Sequence, residues 1–342
     1  MKFLYRLNIF AILLAAFVVI LGAYTRLTDA GLGCPDWPGC YGFLTVPTHH
    51  EDIKVATEAF PERPVEISKA WNEMIHRYLA GALGLVIAAM FFITLKVKQS
   101  RVLASVLLVT VCFQAVLGMW TVTMNLMPLV VMGHLLGGFT TFCLLVVMAL
   151  STRRHLSLSN IQSSPSLNCH KYYQVAKIAL LVLMLQIALG GWTAANYAAV
   201  ACTELPICEG QWQSRLDFEQ AFSIPDDVTT YEYGALPYEA RMTIHILHRI
   251  GAVFVFGVMV WLCVILLQSR STRLKNISLL LAGLVTTQFA LGVANVVFQL
   301  PLLVAVAHNF IALCLLASLI SLLYMMRHQN IQQSSFNTWV KE

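Results

Sequence analysis

The sequence predicts an all-α integral membrane protein with eight transmembrane helices, arranged as two four-helix bundles related by a pseudo-two-fold axis. Three observations predict this fold class. Of the 342 residues, 58% are hydrophobic and only 11% are charged, whereas about a quarter of a soluble domain is charged. The chain contains eight apolar stretches long enough to cross a bilayer. Its second half also repeats motifs of the first, which is typical of duplicated membrane proteins.

The apolar stretches come close to or exceed the roughly 20 residues that a spanning helix needs. The first follows Lys2 and Arg6 and so resembles a signal peptide, but no small-residue cleavage site follows it, and we expect a true helix. The predicted spans are 8–26, 71–95, 102–122, 129–150, 173–197, 242–268, 277–297 and 302–326.

The distribution of charge predicts the orientation. If both termini are cytoplasmic, the inner segments carry 14 of the 22 Lys and Arg residues but one of the 17 acidic residues. This excess of inner positive charge predicts a multi-pass membrane protein whose long loops 27–70 and 198–238 are external. The net charge of +5 then reflects topology and contact with lipid, and no nucleic-acid partner is predicted.

The internal repeat divides the chain into an N-terminal half, 1–155, and a C-terminal half, 172–328. Each half begins and ends on the inner side, so the two halves are expected to be parallel. The matching positions are Leu21-Gly22 with Leu189-Gly190, Cys34 and Cys40 with Cys202 and Cys208, His76-Arg77 with His248-Arg249, Gln114 and Gly118 with Gln288 and Gly292, and His134 with His308.

Four of the ten histidines lie in predicted spans and obey the repeat: His76, His134, His248 and His308. An ionisable side chain within a span is costly, so a functional role is the default expectation. Each of the four lies five or six residues into its predicted span, roughly 8–9 Å below the outer surface. Two imidazoles from separate helices of one bundle can bind a heme iron from both faces, which favours one heme in each half.

Other metals and other roles stay open at this point. Zinc needs three or four close ligands, and each half offers two or three. Copper could use histidine with Met124, Met127 or Met132, but these methionines suit packing equally well. Arg77 and Arg249 each follow a candidate ligand and are candidates to bind heme propionates, although they could equally extend towards the interface.

One difference between the halves favours an enzyme. Glu73 lies three residues before His76 and so on the same helical face, whereas His245 occupies the position three before His248. A carboxylate beside a heme pocket can transfer a proton during oxidation of a bound substrate; the alternative is an interfacial acid paired with Arg77. The difference predicts a reaction site in the N-terminal half and a permanent redox cofactor in the C-terminal half.

The external loops each contain a pair of cysteines with five residues between them, Cys34 with Cys40 and Cys202 with Cys208. In an oxidising compartment such pairs are typical of disulfides. We favour a structural role, in which each disulfide holds a loop over the pocket, because nothing in the sequence indicates a lowered thiol pKa. A redox role coupled to catalysis and thiolate ligation of heme are the alternatives.

These motifs together resemble the heme A synthase family. The resemblance rests on the segment 31–40, Gly-Leu-Gly-Cys-Pro-Asp-Trp-Pro-Gly-Cys, on the Glu-x-x-His-Arg motif of 73–77, and on the segment from Gly190-Gly191-Trp192-Thr193 through Cys202 to Trp212. It covers nearly the whole chain, and the four helix histidines fall where the family has its four.

The resemblance implies that heme O is converted to heme A. The C8 methyl group is hydroxylated twice, and loss of water leaves a formyl group. Heme O would lie against His76 and His134 with Glu73 catalytic, and the cofactor heme b would be bound by His248 and His308. Heme O synthase upstream, cytochrome oxidase assembly proteins downstream and an electron acceptor in the membrane would be partners.

Two other classes of function remain on the residues alone. A non-catalytic di-heme electron-transfer protein would hold two equivalent b hemes. A heme transporter or chaperone would bind heme transiently without changing its substituents. The acidic insertion between Glu51 and Glu66 in the first external loop has no predicted role.

Overall fold

The structure, a computed structural model, describes residues 1–157 and 170–339. This part of the chain forms ten α-helices and one 3-10 helix, Trp212–Arg215, and contains no β-strand. The α-helices are α1 (Lys2–Leu27), α2 (His50–Ala59), α3 (Ile67–Val97), α4 (Arg101–Thr123), α5 (Pro128–Ser157), α6 (His170–Ala195), α7 (Phe218–Ala221), α8 (Tyr238–Leu267), α9 (Thr272–Val297) and α10 (Leu302–Trp339).

Eight of these helices, all except α2 and α7, are long and apolar enough to cross a membrane. The prediction of an all-α, multi-pass membrane protein is therefore confirmed. Many of their exposed side chains are large and apolar, among them Leu13, Leu85 and Phe92. Such a surface suits contact with lipid chains, because an apolar side chain loses nothing by facing hydrocarbon.

Four of the helices start at least four residues earlier than the hydropathy of the sequence predicts. The helices α1 and α9 begin at Lys2 and Thr272, six and five residues before their predicted spans. The helices α3 and α8 begin at Ile67 and Tyr238, four residues before the predicted spans, because their first turns carry polar residues that still favour a helix. His76 and His248 consequently lie nine and ten residues after the first residue of their helices. Their depth in the membrane stays a prediction, because a helix can extend beyond the apolar layer into the interface.

The helices pack in two rings of four. In the first ring α1 contacts α3, α3 contacts α4, α4 contacts α5, and α5 contacts α1. The second ring has the same order in α6, α8, α9 and α10, and α1 and α5 contact α10 while α5 also contacts α6. This pattern is compatible with two bundles divided as the sequence predicts. Residues 340–342, at the terminus predicted to be cytoplasmic, lie outside the described part of the chain.

The first long loop, 27–70, folds over the N-terminal end of α3. Cys34, Cys40, Val46 and Ala56 are buried together with Met74 of α3. Ala56 belongs to α2, so the acidic insertion supplies a short helix that packs against the cysteine loop. Met74, which has no evident chemistry in the sequence, is one of the side chains that fix this loop to α3.

The second external loop contacts the N-terminal half. The side-chain amide of Asn125, between α4 and α5, donates to the Thr229 carbonyl at 3.0 Å. The backbone N–H of Tyr231 donates to the Asn125 carbonyl at 3.0 Å, and Arg63 lies 3.6 Å from Glu232. The outer surfaces of the two rings are therefore joined by polar contacts between their loops.

Candidate functional site

Each of the four repeated histidines packs against a glycine of a neighbouring helix. A methyl group added to any of these glycines would come within 2.9–3.3 Å of the histidine Cε1 atom. Such contacts are closer than a carbon–carbon van der Waals separation, so the missing side chain is what admits the ring. The pairs are His76 of α3 with Gly22 of α1, His134 of α5 with Gly118 of α4, His248 of α8 with Gly190 of α6, and His308 of α10 with Gly292 of α9.

Within each ring of helices the two histidines are brought together. The ring centroids of His76 and His134 are 6.5 Å apart, with their planes at 75°. An iron ion bound by two imidazole nitrogens, each about 2 Å away, would separate the centroids by about 6 Å. His248 and His308 lie on α8 and α10 of the second ring, at the positions that the repeat matches to His76 and His134. The spacing of the first pair and the glycine notch behind each ring fit a heme held between two histidines.

The structure gives no support to the other metals considered. Within the described part of the chain, the cluster of three potential metal ligands is Cys202, Cys208 and Glu209. Its two sulfur atoms are joined in a disulfide, so they are not available as thiolates. Met132 packs against Gly191, as expected of a core methionine.

Glu73 is buried between the first cysteine loop and Arg77. Its Oε2 atom accepts a hydrogen bond from the backbone N–H of Cys34 at 2.8 Å. Its Oε1 atom accepts from the Arg77 guanidinium, with which it forms an ion pair. The carboxylate lies one helical turn outward from His76, where the sequence predicts it, and both of its oxygen atoms have partners.

His245 occupies the equivalent position in the C-terminal half. Its Nδ1 atom lies 3.3 Å from the backbone N–H of Cys202 and its Nε2 atom lies 3.2 Å from Nε of Arg249. Glu73 and His245 therefore connect the same two elements, the first cysteine of a loop and the arginine after a repeated histidine. The difference between the halves is one of chemistry, a carboxylate against an imidazole, and not one of position.

Arg77 and Arg249 both bind the carbonyl groups of their disulfide loops. Arg77 donates to the carbonyls of Asp36 at 2.9 Å and Gly39 at 2.5 Å. Arg249 donates to the carbonyls of Cys202 at 2.6 Å, Glu204 at 2.6 Å and Ile207. These contacts give both side chains a loop-holding role. Their binding of heme propionates stays a prediction.

Both predicted disulfides are formed. Cys34 is bonded to Cys40, and Cys202 is bonded to Cys208. Each closes a short loop whose carbonyl groups face the arginine of the neighbouring helix. The pairing is confirmed, and the structural role that the sequence favours stays a prediction.

The match to a known protein family spans both rings of helices. A family model described as cytochrome oxidase assembly protein, COX15-CtaA, matches residues 5–320. The chain belongs to the COX15-CtaA family. The family resemblance predicted from the loop and histidine motifs is therefore confirmed.

Several proteins similar to this member of the COX15-CtaA family are heme A synthases by name. The one from Shewanella oneidensis is 48% identical over 319 residues, which cover 93% of this chain and 94% of that protein. The one from Wolbachia pipientis is 26% identical, with 91% and 89% of the two chains covered. The one from Mesorhizobium japonicum is 26% identical, with 90% and 86% covered.

In this COX15-CtaA chain, sequence reasoning missed one residue of the histidine framework and the full extent of the repeat. Gln186 lies four residues before Gly190 and contacts His248 at 3.0 Å. The signal was present, because a Gln-x-x-Leu-Gly motif occurs three times, with Val in place of Gln in α1. The four copies are Val18 to Gly22, Gln114 to Gly118, Gln186 to Gly190 and Gln288 to Gly292.

The glycine notches can be tested by filling one of them. In Gly190→Val the new side chain would push His248 away from α6, since even a methyl group would lie 3.0 Å from the ring. We expect the heme content of the purified protein to fall about tenfold or more, as is usual when the support of a metal ligand is lost. Absorbance of the pyridine complex of extracted heme measures this content.

Gly257→Val is the matched control for the filled notch. Gly257 lies on α8, and a methyl group added there would meet no atom within 4 Å. This variant is expected to keep the heme content of the parent protein. Equal loss of heme from both variants would show that valine harms the fold in general and would remove the argument for the notch.

Proposed function

We propose that the chain is a heme A synthase, which oxidises the C8 methyl group of heme O to the formyl group of heme A for cytochrome oxidase. The observation that carries this is the double pair of histidines, each ring placed in a glycine notch, in a chain 48% identical to a heme A synthase. Bound heme would supply the iron for oxidation and electron transfer. The side chains of the protein must bind and orient the substrate heme and transfer protons.

In this proposal the two halves have different occupants. His76 and His134 hold the substrate heme O in the N-terminal half, and His248 and His308 hold heme b in the C-terminal half. The support for this division is the carboxylate of Glu73, which is buried one turn from His76, whereas the corresponding His245 is a neutral base when unprotonated. A buried carboxylate can accept a proton from a substrate as it is oxidised.

The overall reaction needs an electron acceptor, a source of heme O and a recipient of heme A. Each hydroxylation replaces a C–H bond of the methyl group by a C–O bond, and with water as the source of oxygen it releases two protons and two electrons. Loss of water from the doubly hydroxylated carbon leaves the formyl group. We propose that an electron acceptor in the membrane takes these electrons. Heme O synthase would supply the substrate, and cytochrome oxidase assembly proteins would receive the product.

The location follows from the distribution of charge. We propose that the chain lies in the bacterial inner membrane with both termini cytoplasmic, so that both disulfide loops face the periplasm. An oxidising periplasm is the compartment in which such disulfides persist. The glycine notches then lie nearer the periplasmic ends of the helices than the cytoplasmic ends.

The proposed reaction is tested by expressing the chain in a host that makes heme O but no heme A. Extracted hemes are separated by chromatography, and we expect heme A to appear only when the chain is present. Two unconverted b hemes would support an electron-transfer protein, and heme O bound and released unchanged would support a transporter. Either of these results would overturn the proposed reaction.

A further inference from the structure

Glutamine side chains hold three of the four histidines. The Nε2 atom of Gln114 lies 3.1 Å from Nδ1 of His134 and donates to the His134 carbonyl at 2.7 Å. Gln186 makes the same pair of contacts with His248, at 3.0 and 2.9 Å. Gln288 makes one contact, 3.2 Å from Nε2 of His308. In all three cases the glutamine lies one turn before the glycine that admits the ring.

The double contact depends on a second glycine. Gly137 and Gly251 each lie three residues after the histidine, and a methyl group at either position would collide with Oε1 of Gln114 or Gln186. The equivalent residue after His308 is Ile311, which agrees with the single contact that Gln288 makes. A glutamine before one glycine and a second glycine after the histidine therefore form one device.

The amide also suits an imidazole that binds a metal. Such an imidazole carries a proton on its other nitrogen, and that proton needs an acceptor. The Oε1 atoms of Gln114 and Gln288 are buried without a hydrogen-bond partner in the described part of the chain. Rotation of the side-chain amide by about 180° would present this oxygen to the imidazole ring. The same glutamine can therefore hold the histidine with or without a bound metal.

His76 lacks this device. Val18 occupies the position of the glutamine, and Leu79 occupies the position of the second glycine. On the α1 side the ring packs against the backbone of Gly22. The Nδ1 atom of His76 is buried and has no hydrogen-bond partner among the described residues. One imidazole of the N-terminal pair is therefore held by packing and backbone, and the other by a side-chain clamp.

We propose that Gln114, Gln186 and Gln288 are positioning residues that fix three iron ligands, and that valine at position 18 leaves His76 as the displaceable ligand of the four. This inference rests on the proposed assignment of hemes to the two histidine pairs. A displaceable His76 would leave one face of the heme in the N-terminal half open to exchange of its ligand, which a site of oxidation needs. The C-terminal half keeps both of its ligands, as an electron relay needs.

The test exchanges the device between the halves. The variant Gln186→Val with Gly251→Leu gives His248 the surroundings of His76. Carbon monoxide binds ferrous heme only at an axial position that an imidazole has left, so the absorbance change on adding it to the reduced, purified protein reports a released ligand. We expect at least about a tenfold rise in the carbon monoxide-bound fraction over the parent protein. Gln288→Val, which removes one contact, is expected to give a smaller rise.

The matched control is Ser278→Ala, which removes a buried hydrogen bond from α9 to the Cys263 carbonyl at 2.8 Å but touches no histidine. It is expected to leave carbon monoxide binding unchanged. The reverse exchange, Val18→Gln with Leu79→Gly, is expected to lower carbon monoxide binding by protein loaded with heme O. Val18→Gln alone is expected to lower it less, since Leu79 stands where the other clamps have their second glycine.

The outcomes separate this inference from the proposed function. An unchanged carbon monoxide-bound fraction in Gln186→Val with Gly251→Leu, or an equal rise in Ser278→Ala, overturns the positioning role. Loss of heme from the double variant on gel filtration, with heme retained by Ser278→Ala, supports it, because the ligand has been freed. Chromatography of extracted hemes measures heme A formation independently. If the exchange changes carbon monoxide binding but the chain forms no heme A, the positioning role stands and only the proposed reaction is overturned.

Discussion

Replacing Glu73 by glutamine is expected to stop heme A formation while leaving b-type heme in the protein. Glutamine can still accept the hydrogen bond from the Cys34 N–H through its amide oxygen, which Glu73 makes at 2.8 Å. It cannot take up a proton or balance the charge of Arg77. We expect the yield of heme A to fall about 100-fold or more, within the range for loss of a general acid or base.

The measurement is chromatography of hemes extracted from cells that supply heme O. Glu66→Gln is the matched control, because Glu66 lies just before α3 and its ion pair with Lys69 is exposed. That variant is expected to keep full activity. Full activity in Glu73→Gln would remove the carboxylate from the reaction and leave it the structural role that His245 has in the other half.

The second large effect is expected when single histidines are removed. His248→Ala and His308→Ala are each expected to reduce the b-type heme of the purified protein to about a tenth or less, because a permanent heme loses an iron ligand. His76→Ala and His134→Ala are expected to retain that heme and to lose heme A formation. The difference between the two sets of variants assigns the cofactor to one half.

Heme content per polypeptide is the measurement, and added imidazole is the control for folding. The cavity left by alanine at His248 is bordered by the notch at Gly190, so free imidazole can enter and replace the ligand. We expect it to restore part of the heme to His248→Ala. Equal retention of heme in all four alanine variants would contradict the division between a substrate site and a cofactor site.

The sequence predicts much of the framework because its signals are local or repeated. Apolar stretches of sufficient length correspond to the eight long helices, and the repeat singles out the four histidines that lie in glycine notches. Charged or polar first turns of α3 and α8 are invisible to hydropathy, since a helix can continue into the interface. Their starts were therefore placed four residues too late.

The contacts of the site were harder to predict because they join separate helices and loops. Nothing in the spacing of Arg77 or Arg249 shows that its partners are loop carbonyls, since these are presented only after the disulfide loops have folded. The contact between Gln186 and His248 likewise depends on which helices are neighbours. The recurrence of Gln-x-x-Leu-Gly on α4, α6 and α9 is the signal in the sequence that indicates it.

The fourfold recurrence of a glycine notch has a consequence for how such a molecule diversifies. A single ancestral helical hairpin, duplicated twice, accounts for one notch on each of α1, α4, α6 and α9 and for one imidazole on each of the helices that follow. After duplication, the hairpins could keep their backbones and still specialise. Changes at two positions, such as Val18 and Leu79, alter how one histidine is held while the helices that carry it stay the same.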